Sequence, residues 1–236
     1  IICNPRDIEL FKNLLGDGSK YGCCFQYATQ TKPKGIADAF LIGSEFIGND
    51  RVTLILGDNI FYFPSIAERI KDNKIKDGAH IFAYHVSDPS RYGVVDFDDN
   101  NQVLSIEEKP SHPKTNYAIP GLYFFDKKVT DYAKALNPSL RGELEITDLL
   151  QIYLKEDSLN VMKMDKGTAW LDTGTFSSLM QAGQFVQVIE ERQGLKVGCI
   201  EERAYRAGFI NLQDLRNIAK PLMKSGYGEY LMKIDE

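Results

Sequence analysis

Asp58 and Asp172 are the residues whose type and setting best suit chemistry. Each ends a short hydrophobic run close to a glycine, in Leu56-Gly57-Asp58-Asn59 and in Trp170-Leu171-Asp172-Thr173-Gly174. In open α/β sheets ligands gather beyond the carboxyl ends of the strands, and two carboxylates completed by phosphate oxygens and water make a typical magnesium arrangement. Asp58 with Asn59 can equally open a turn, and Asp172 can belong to an N-cap network around Thr175. The similar context of the two acids favours one shared site.

Glu107-Glu108-Lys109-Pro110 ends another hydrophobic run. Lys109 is a candidate phosphate ligand and Glu108 a candidate acceptor for sugar hydroxyls, against a solvated strand end as the plain alternative. In a regular strand the two would face opposite ways, although Pro110 can break that alternation. Arg91-Tyr92-Gly93 and Pro120-Gly121-Leu122-Tyr123 set glycines beside aromatics, which could bring backbone amides to a sugar while a ring packs on it, or could be core β-structure. Residues 141–148, RGELEITD, form a charged loop entering a helix and either shape a site or cap that helix. The three histidines have no metal-ligand spacing, and the four cysteines, without a CxxC pair, read as reduced core thiols.

The elements that must position these residues follow from periodicity. Residues 5–15, 36–47, 66–73, 129–136, 146–155, 175–192 and 211 onward have helical spacing. Strands are predicted at 23–30, 52–56, 79–86, 92–97, 103–107, 117–125, 159–164 and 169–171. The apolar run 52–56 suits a strand buried on both faces, as in a parallel sheet. Strand and helix alternate up to residue 86, whereas 92–125 holds strands without helices between them, a mixed insertion beside a parallel core. With 236 residues, 43% hydrophobic and 26% charged, a sizeable core is expected. A formal net charge of −5 argues against a broad nucleic-acid surface. No apolar run reaches the roughly 18 residues of a membrane span, and a soluble, cytoplasmic protein is expected. Ile1-Ile2-Cys3 reads as a strand already under way, so a piece of protein is expected in front of it.

Together these segments resemble the sugar-1-phosphate nucleotidyltransferases over nearly the whole chain. The resemblance rests on LLGDGS at 14–19, LGDNIF at 56–61, RYGVV at 91–95, EEKP at 107–110, NYA at 116–118, GLYFF at 121–125, RGELEITD at 141–148, AWLDTGT at 169–175 and IEERQGLK at 189–196, in family order. It implies an α/β fold, a doubly wound, mostly parallel nucleotide-binding sheet of Rossmann-like kind with a mixed β sugar-binding insertion at about 88–126. A core over residues 1–198 and a C-terminal helical segment over 199–236 are expected with it.

The same resemblance makes Asp58 and Asp172 ligands of Mg2+ and places Gln30 and Gly35 at the nucleotide base. It sets Tyr92, Gly93, Glu108, Lys109, Ile119, Tyr123 and Trp170 around the sugar and its phosphate, with Lys109, Asp58 and Asp172 as the catalytic set. The implied reaction joins dTTP and glucose 1-phosphate to give dTDP-glucose and pyrophosphate, in a homotetramer without nucleic-acid or membrane partners. UTP or CTP as donor, or a non-catalytic nucleotide-sugar binding or regulatory subunit, are the alternatives. The family's glycine-rich GGxGTRL-like loop and PK lysine are not among these 236 residues, so a preceding segment of roughly 50 residues is expected.

Overall fold

The computed structural model describes residues 1–63 and 77–235. The chain begins with β1 (Ile2–Cys3), α1 (Ile8–Leu15), β2 (Ala28–Thr29), α2 (Asp38–Ile42), α3 (Ser44–Ile47), β3 (Val52–Ile55), β4 (Asn59–Tyr62) and β5 (Ala79–His85). It continues through β6 (Gly93–Phe97), β7 (Val103–Glu108), β8 (Tyr117–Ala118), β9 (Leu122–Phe125), α4 (Val129–Ala135), α5 (Ile146–Lys155), β10 (Leu159–Lys163) and β11 (Ala169–Asp172). The helices α6 (Phe176–Gln193), α7 (Ile200–Arg206), α8 (Leu212–Ala219) and α9 (Gly226–Met232) complete it. The helix expected at 66–73 lies outside the described residues.

By internal packing the chain forms two compact units, residues 30–178 and residues 1–29 with 179–236, a different partition from a cut at residue 198. The larger unit is built on a seven-stranded mixed sheet. Its centre is β5, whose residues Ala79, His80, Ile81, Phe82 and Ala83 are all buried between β9 on one side and the parallel β10 on the other. Pleating sends Ile81 to one face, with Phe40, Phe125, Leu149, Leu150 and Tyr153, and Phe82 to the other, with Leu122 and Phe124. β9 runs antiparallel between β3 and β5, so the pairing is more mixed than a continuous βα alternation predicts, within the expected α/β class.

Three expectations are corrected. β3 is not buried on both faces: its residues alternate between half-buried and exposed, and Ile55 is 57% exposed. The single strand expected over 117–125 is two, because Pro120 has no N–H for a ladder and the Gly121 N–H goes to Asn59 Oδ1 at 3.0 Å. β8 therefore pairs with β5 and β6, and β9 with β3 and β5. Only Cys199 of the four free cysteines is buried, so the core-thiol reading holds for that residue alone.

In the smaller unit Tyr21, Ala204, Leu215, Leu231 and Ile234 form the core. Asn211 opens α8 with a capping box, its side chain accepting from the Asp214 N–H while Asp214 accepts from the Asn211 N–H. Three tyrosines fasten the C-terminal stretch to α7, Tyr227 donating to Glu201, Tyr230 to Glu202, and Tyr205 of α7 to Asp235. Among the described residues no helix is long and apolar enough to cross a membrane.

The start of β5 depends on Gly78. Its φ is +101°, and a Cβ there would lie 2.2 Å from the Ser158 carbonyl oxygen. Gly78→Ala is expected to destabilise the fold by on the order of 2 to 3 kcal/mol, read as a lower midpoint in urea unfolding.

Candidate active site

The register of one short ladder brings the two acids together. β4 and β11 pair antiparallel with Asp172 opposite Asn59, so Asp172 faces the residue that follows Asp58. The two turns beyond the ladder are then tied, since the Thr173 N–H and Oγ1 both donate to the Asp58 carbonyl, at 2.8 and 3.0 Å. A Cβ on Gly174 would sit 3.7 Å from Asp172 Oδ2 and 3.9 Å from Asp58 Oδ2. Both carboxylates thus lie within van der Waals reach of one point beside Gly174. Among the described residues no third acid, histidine or cysteine joins them, so a cation held there takes its remaining ligands from substrate and water.

Neighbours hold this pair in place. Asn59 donates to Asp58 Oδ1 at 2.6 Å, while its own Oδ1 accepts from Trp170 Nε1 at 2.6 Å and from Gly121. Trp170 is buried, with edge contacts to Tyr84 and Tyr92. The Tyr92 hydroxyl donates to Asp172 Oδ1 at 3.2 Å, and an Arg91 nitrogen lies 3.8 Å from Asp172 Oδ2. Burial, then the Asp172 charge, pushes the Tyr92 phenol above its ordinary pKa, so it remains a donor.

A second group sits on the β-insertion. Gly93 pairs with Glu108, and a Cβ on Gly93 would lie 3.1 Å from Thr147 Cγ2, 3.6 Å from Glu108 Oε2 and 3.8 Å from Ile119 Cδ1. The strand alternation that would separate Glu108 from Lys109 is broken at Lys109 itself, whose φ is +42°. Its N–H still reaches the Tyr92 carbonyl at 3.0 Å, and its Nζ comes to 3.7 Å from Glu108 Oε1. Arg141 approaches the same carboxylate at 3.6 Å and forks onto Glu145, and Thr147 donates to Glu108 Oε2 at 3.2 Å. Burial, reinforced by the Glu145 charge, nevertheless raises the Glu108 pKa against the pull of Lys109.

A third group holds Gln30 and Gly35. Gln30 Nε2 donates to the Gly35 carbonyl at 3.2 Å and to Asp38 Oδ2 at 2.9 Å. Gly35 has φ +95° and lies so close to Leu144 that a Cβ would be 2.3 Å from its carbonyl oxygen. The Leu144 N–H bonds Lys34 and its carbonyl accepts from Ala37, so this loop is bolted to the strap carrying Arg141, Glu143 and Glu145.

The sequence-derived residues thus fall into three clusters. Asp58, Asp172, Tyr92 and Trp170 form the first, Gly93, Glu108, Lys109 and Ile119 the second, and Gln30 with Gly35 the third. Tyr92 and Lys109 join the first two, and the strap joins the last two. Tyr123 is buried in the core beneath the face, where the Glu108 and Asp58 charges both act on it and burial raises its pKa strongly. Asp38, Asn59, Arg91, Arg141 and Thr147 were not singled out individually from sequence, although all but Asp38 lie inside the motifs quoted.

Residues 1–188 match the family model described as nucleotidyl transferase. The chain belongs to the nucleotidyl transferase family. It is 53% identical to the glucose-1-phosphate thymidylyltransferase of Mycolicibacterium smegmatis over 99% of this chain and 81% of that protein. It is 50% identical to those of Neisseria gonorrhoeae and Mycobacterium tuberculosis, covering 99% and 100% of this chain and 82% of each relative. A crystal structure of a Bacillus anthracis chain described as a glucose-1-phosphate thymidylyltransferase, in complex with sucrose, is 40% identical, with a TM-score of 0.71 over 78% of this chain and 74% of that one. A UDP-glucose pyrophosphorylase complexed with UDP-glucose, 21% identical with a TM-score of 0.60 over 69% of this chain and 65% of that one, shares the nucleotidyl transferase fold. The family relationship expected from the motifs is borne out. Nucleotidyl transferases work with a divalent metal, which the open acid pair above Gly174 suits.

The raised Glu108 pKa has a consequence for stability. A carboxyl raised on folding is penalised when charged, so its contribution is present below the unfolded pKa, about 4.3, and is lost as pH rises through the folded value. Glu108→Gln is therefore expected to raise the melting temperature at pH 7 relative to wild type, with the gain vanishing near pH 3.

Proposed function

We propose that the protein transfers a thymidylyl group from dTTP to glucose 1-phosphate, giving dTDP-glucose and pyrophosphate. The observation that carries this reading is the pair of carboxylates meeting above Gly174, joined through Tyr92 to the lysine and glutamate of the β-insertion, in a chain about half identical to enzymes of that name. A cytoplasmic location and a homotetramer belong to the same reading.

Asp58 and Asp172 would hold Mg2+, which when bound offsets the charge of the nucleotide phosphates and lowers the repulsion between two anionic substrates. The remaining tasks fall to the chain's own groups. Lys109 presents a cationic Nζ to the sugar phosphate, with Arg141 as a second positive group on the same carboxylate. Glu108, held by Thr147, accepts from sugar hydroxyls, and Gly93, without a side chain, lets the sugar approach the backbone over the buried Ile119. Tyr92 keeps Asp172 turned toward the shared volume, and Trp170 does the same for Asp58 through Asn59. Gln30 and the Gly35 backbone meet the base.

An oxygen of glucose 1-phosphate then attacks the α-phosphorus of dTTP in line, one P–O bond forms as another breaks, and pyrophosphate leaves. The attacking phosphate oxygen is already ionised, so positioning and electrostatics replace acid-base catalysis.

Pyrophosphate release with glucose 1-phosphate and each of dTTP, UTP and CTP tests the assignment, and turnover is expected with dTTP. No turnover with dTTP would sink it. Asp172→Asn is expected to lower metal-dependent kcat/KM by about 100-fold or more. Its melting temperature should also lose the Mg2+-induced rise expected of wild type. Equal protection of both proteins by Mg2+ would remove Asp172 from the metal site.

A further inference from the structure

We propose that Asp38 is a positioning residue that fixes the polarity of the Gln30 amide. Gln30 then offers the base its carbonyl oxygen alone and selects a nucleotide whose base presents a ring N–H, thymine or uracil, over cytosine. The proposal rests on the reading that Gln30 meets the base.

A glutamine amide can ordinarily be turned end for end, because its oxygen and nitrogen have nearly the same shape. Here the surroundings decide. The nitrogen faces two acceptors, the Gly35 carbonyl at 3.2 Å and Asp38 Oδ2 at 2.9 Å. The turned amide would press its oxygen against a carbonyl and a carboxylate, two repulsive contacts in place of two hydrogen bonds. Both amide hydrogens are spent in this arrangement, and what remains is an acceptor.

Neither acceptor can drift away. The Gly35 carbonyl belongs to a residue with φ +95° packed on the Leu144 backbone, in a loop held at Lys34 and Ala37 by two further backbone hydrogen bonds. Asp38 is 7% exposed and lies between Ala37 and Phe40, which anchor α2 in the core at 0% and 1% exposure. Asp38 opens α2, where a helix start favours an acid, and its side chain also accepts from Gln30. A carboxylate drawn out of water persists where hydrogen bonds satisfy it, and Gln30 supplies one.

The chemical consequence is a choice between bases. Thymine and uracil carry a hydrogen on ring N3 and can donate it to Gln30 Oε1. Cytosine presents a lone pair at that atom, and two acceptors face each other. A site that requires a donor rejects a ligand lacking it more strongly than a site that merely fits its shape.

The test uses the full chain with steady-state kinetics and equilibrium binding of dTTP and dCTP. Asp38→Ala should raise the KM for dTTP by about tenfold, leave kcat and the KM for glucose 1-phosphate within about twofold, and shrink the dTTP-over-dCTP preference in kcat/KM by about tenfold. Asp38→Asn, which can still turn an oxygen toward Gln30, should stay within about threefold of wild type. In a Gln30→Ala background, Asp38→Ala should add nothing. A variant pair independent of the alanine protein's folding comes from reversing the bond. Gln30→Glu sets two carboxylates face to face and should weaken dTTP binding, and adding Asp38→Asn, whose amide can donate to that glutamate, should restore part of it. The proposal is overturned if Asp38→Ala leaves both the dTTP KM and the base preference unchanged, if it costs as much without Gln30 as with it, or if Asp38→Asn fails to relieve Gln30→Glu. If Gln30→Ala leaves dTTP binding unchanged, the base-site reading fails along with it. If Gln30→Ala weakens dTTP and Asp38→Ala is silent, the base-site reading stands and only the role of Asp38 is lost.

Discussion

The larger unit's site depends on holding two like charges at one place. Asp58 and Asp172 come from sequence positions more than a hundred residues apart, and as like charges they tend to separate. The four-residue ladder of β4 with β11 prevents this by placing Asp172 opposite Asn59, and the double bond of Thr173 to the Asp58 carbonyl closes the remaining freedom. Hydrogen bonds from Asn59 and Tyr92 then orient the carboxylates without neutralising them. Two carboxylates held in this way suit a cation, which would find them already placed.

The strap at residues 139–145 ties together the other two clusters. Its backbone carries the Gln30–Asp38 loop through Leu144, and its Arg141 reaches Glu108 on the β-insertion. One irregular stretch therefore positions both the Gln30–Gly35 cluster and Glu108. The fork of Arg141 on Glu145 and the Ser139 bond to the same carboxylate keep that stretch rigid, and they lower the Glu145 pKa despite its burial. The helix that follows, α5, buries Leu149, Leu150 and Tyr153 against the sheet, which fixes where the strap ends.

The smaller unit is stabilised differently. Its helices are short, and much of the attachment of α9 runs through tyrosine hydroxyls donated to carboxylates, beside an apolar core centred on Leu215 and Leu231. Burial raises the pKa of Tyr230 to about 12, so its bond to Glu202 persists across the neutral range.

Much of this was legible in the chain itself. The central strand β5 was recoverable because Ile81, Phe82, Ala83 and Tyr84 make an apolar segment of strand length, and α1, α5 and α6 because their periods are long enough to read. An apolar run read as buried on both faces misled at β3, whose apolar residues read alike whether both faces are covered or only one. The pattern misled again at 117–125, where Pro120 and Gly121 split one apparent strand into members of different ladders. Residue type alone made Asp58, Asp172, Glu108 and Lys109 candidates. Sequence could not reveal that Glu108 and Lys109 share a face, since that turns on one positive φ. Asp38 was invisible for another reason: its meaning depends on which atom of Gln30 it meets across a loop. The sequence by itself determined the family, the α/β class and the chemical types in the site. Only the tertiary structure decided which groups meet and with what polarity, because register, backbone sign and amide orientation are set by contacts between segments and leave no period in the chain.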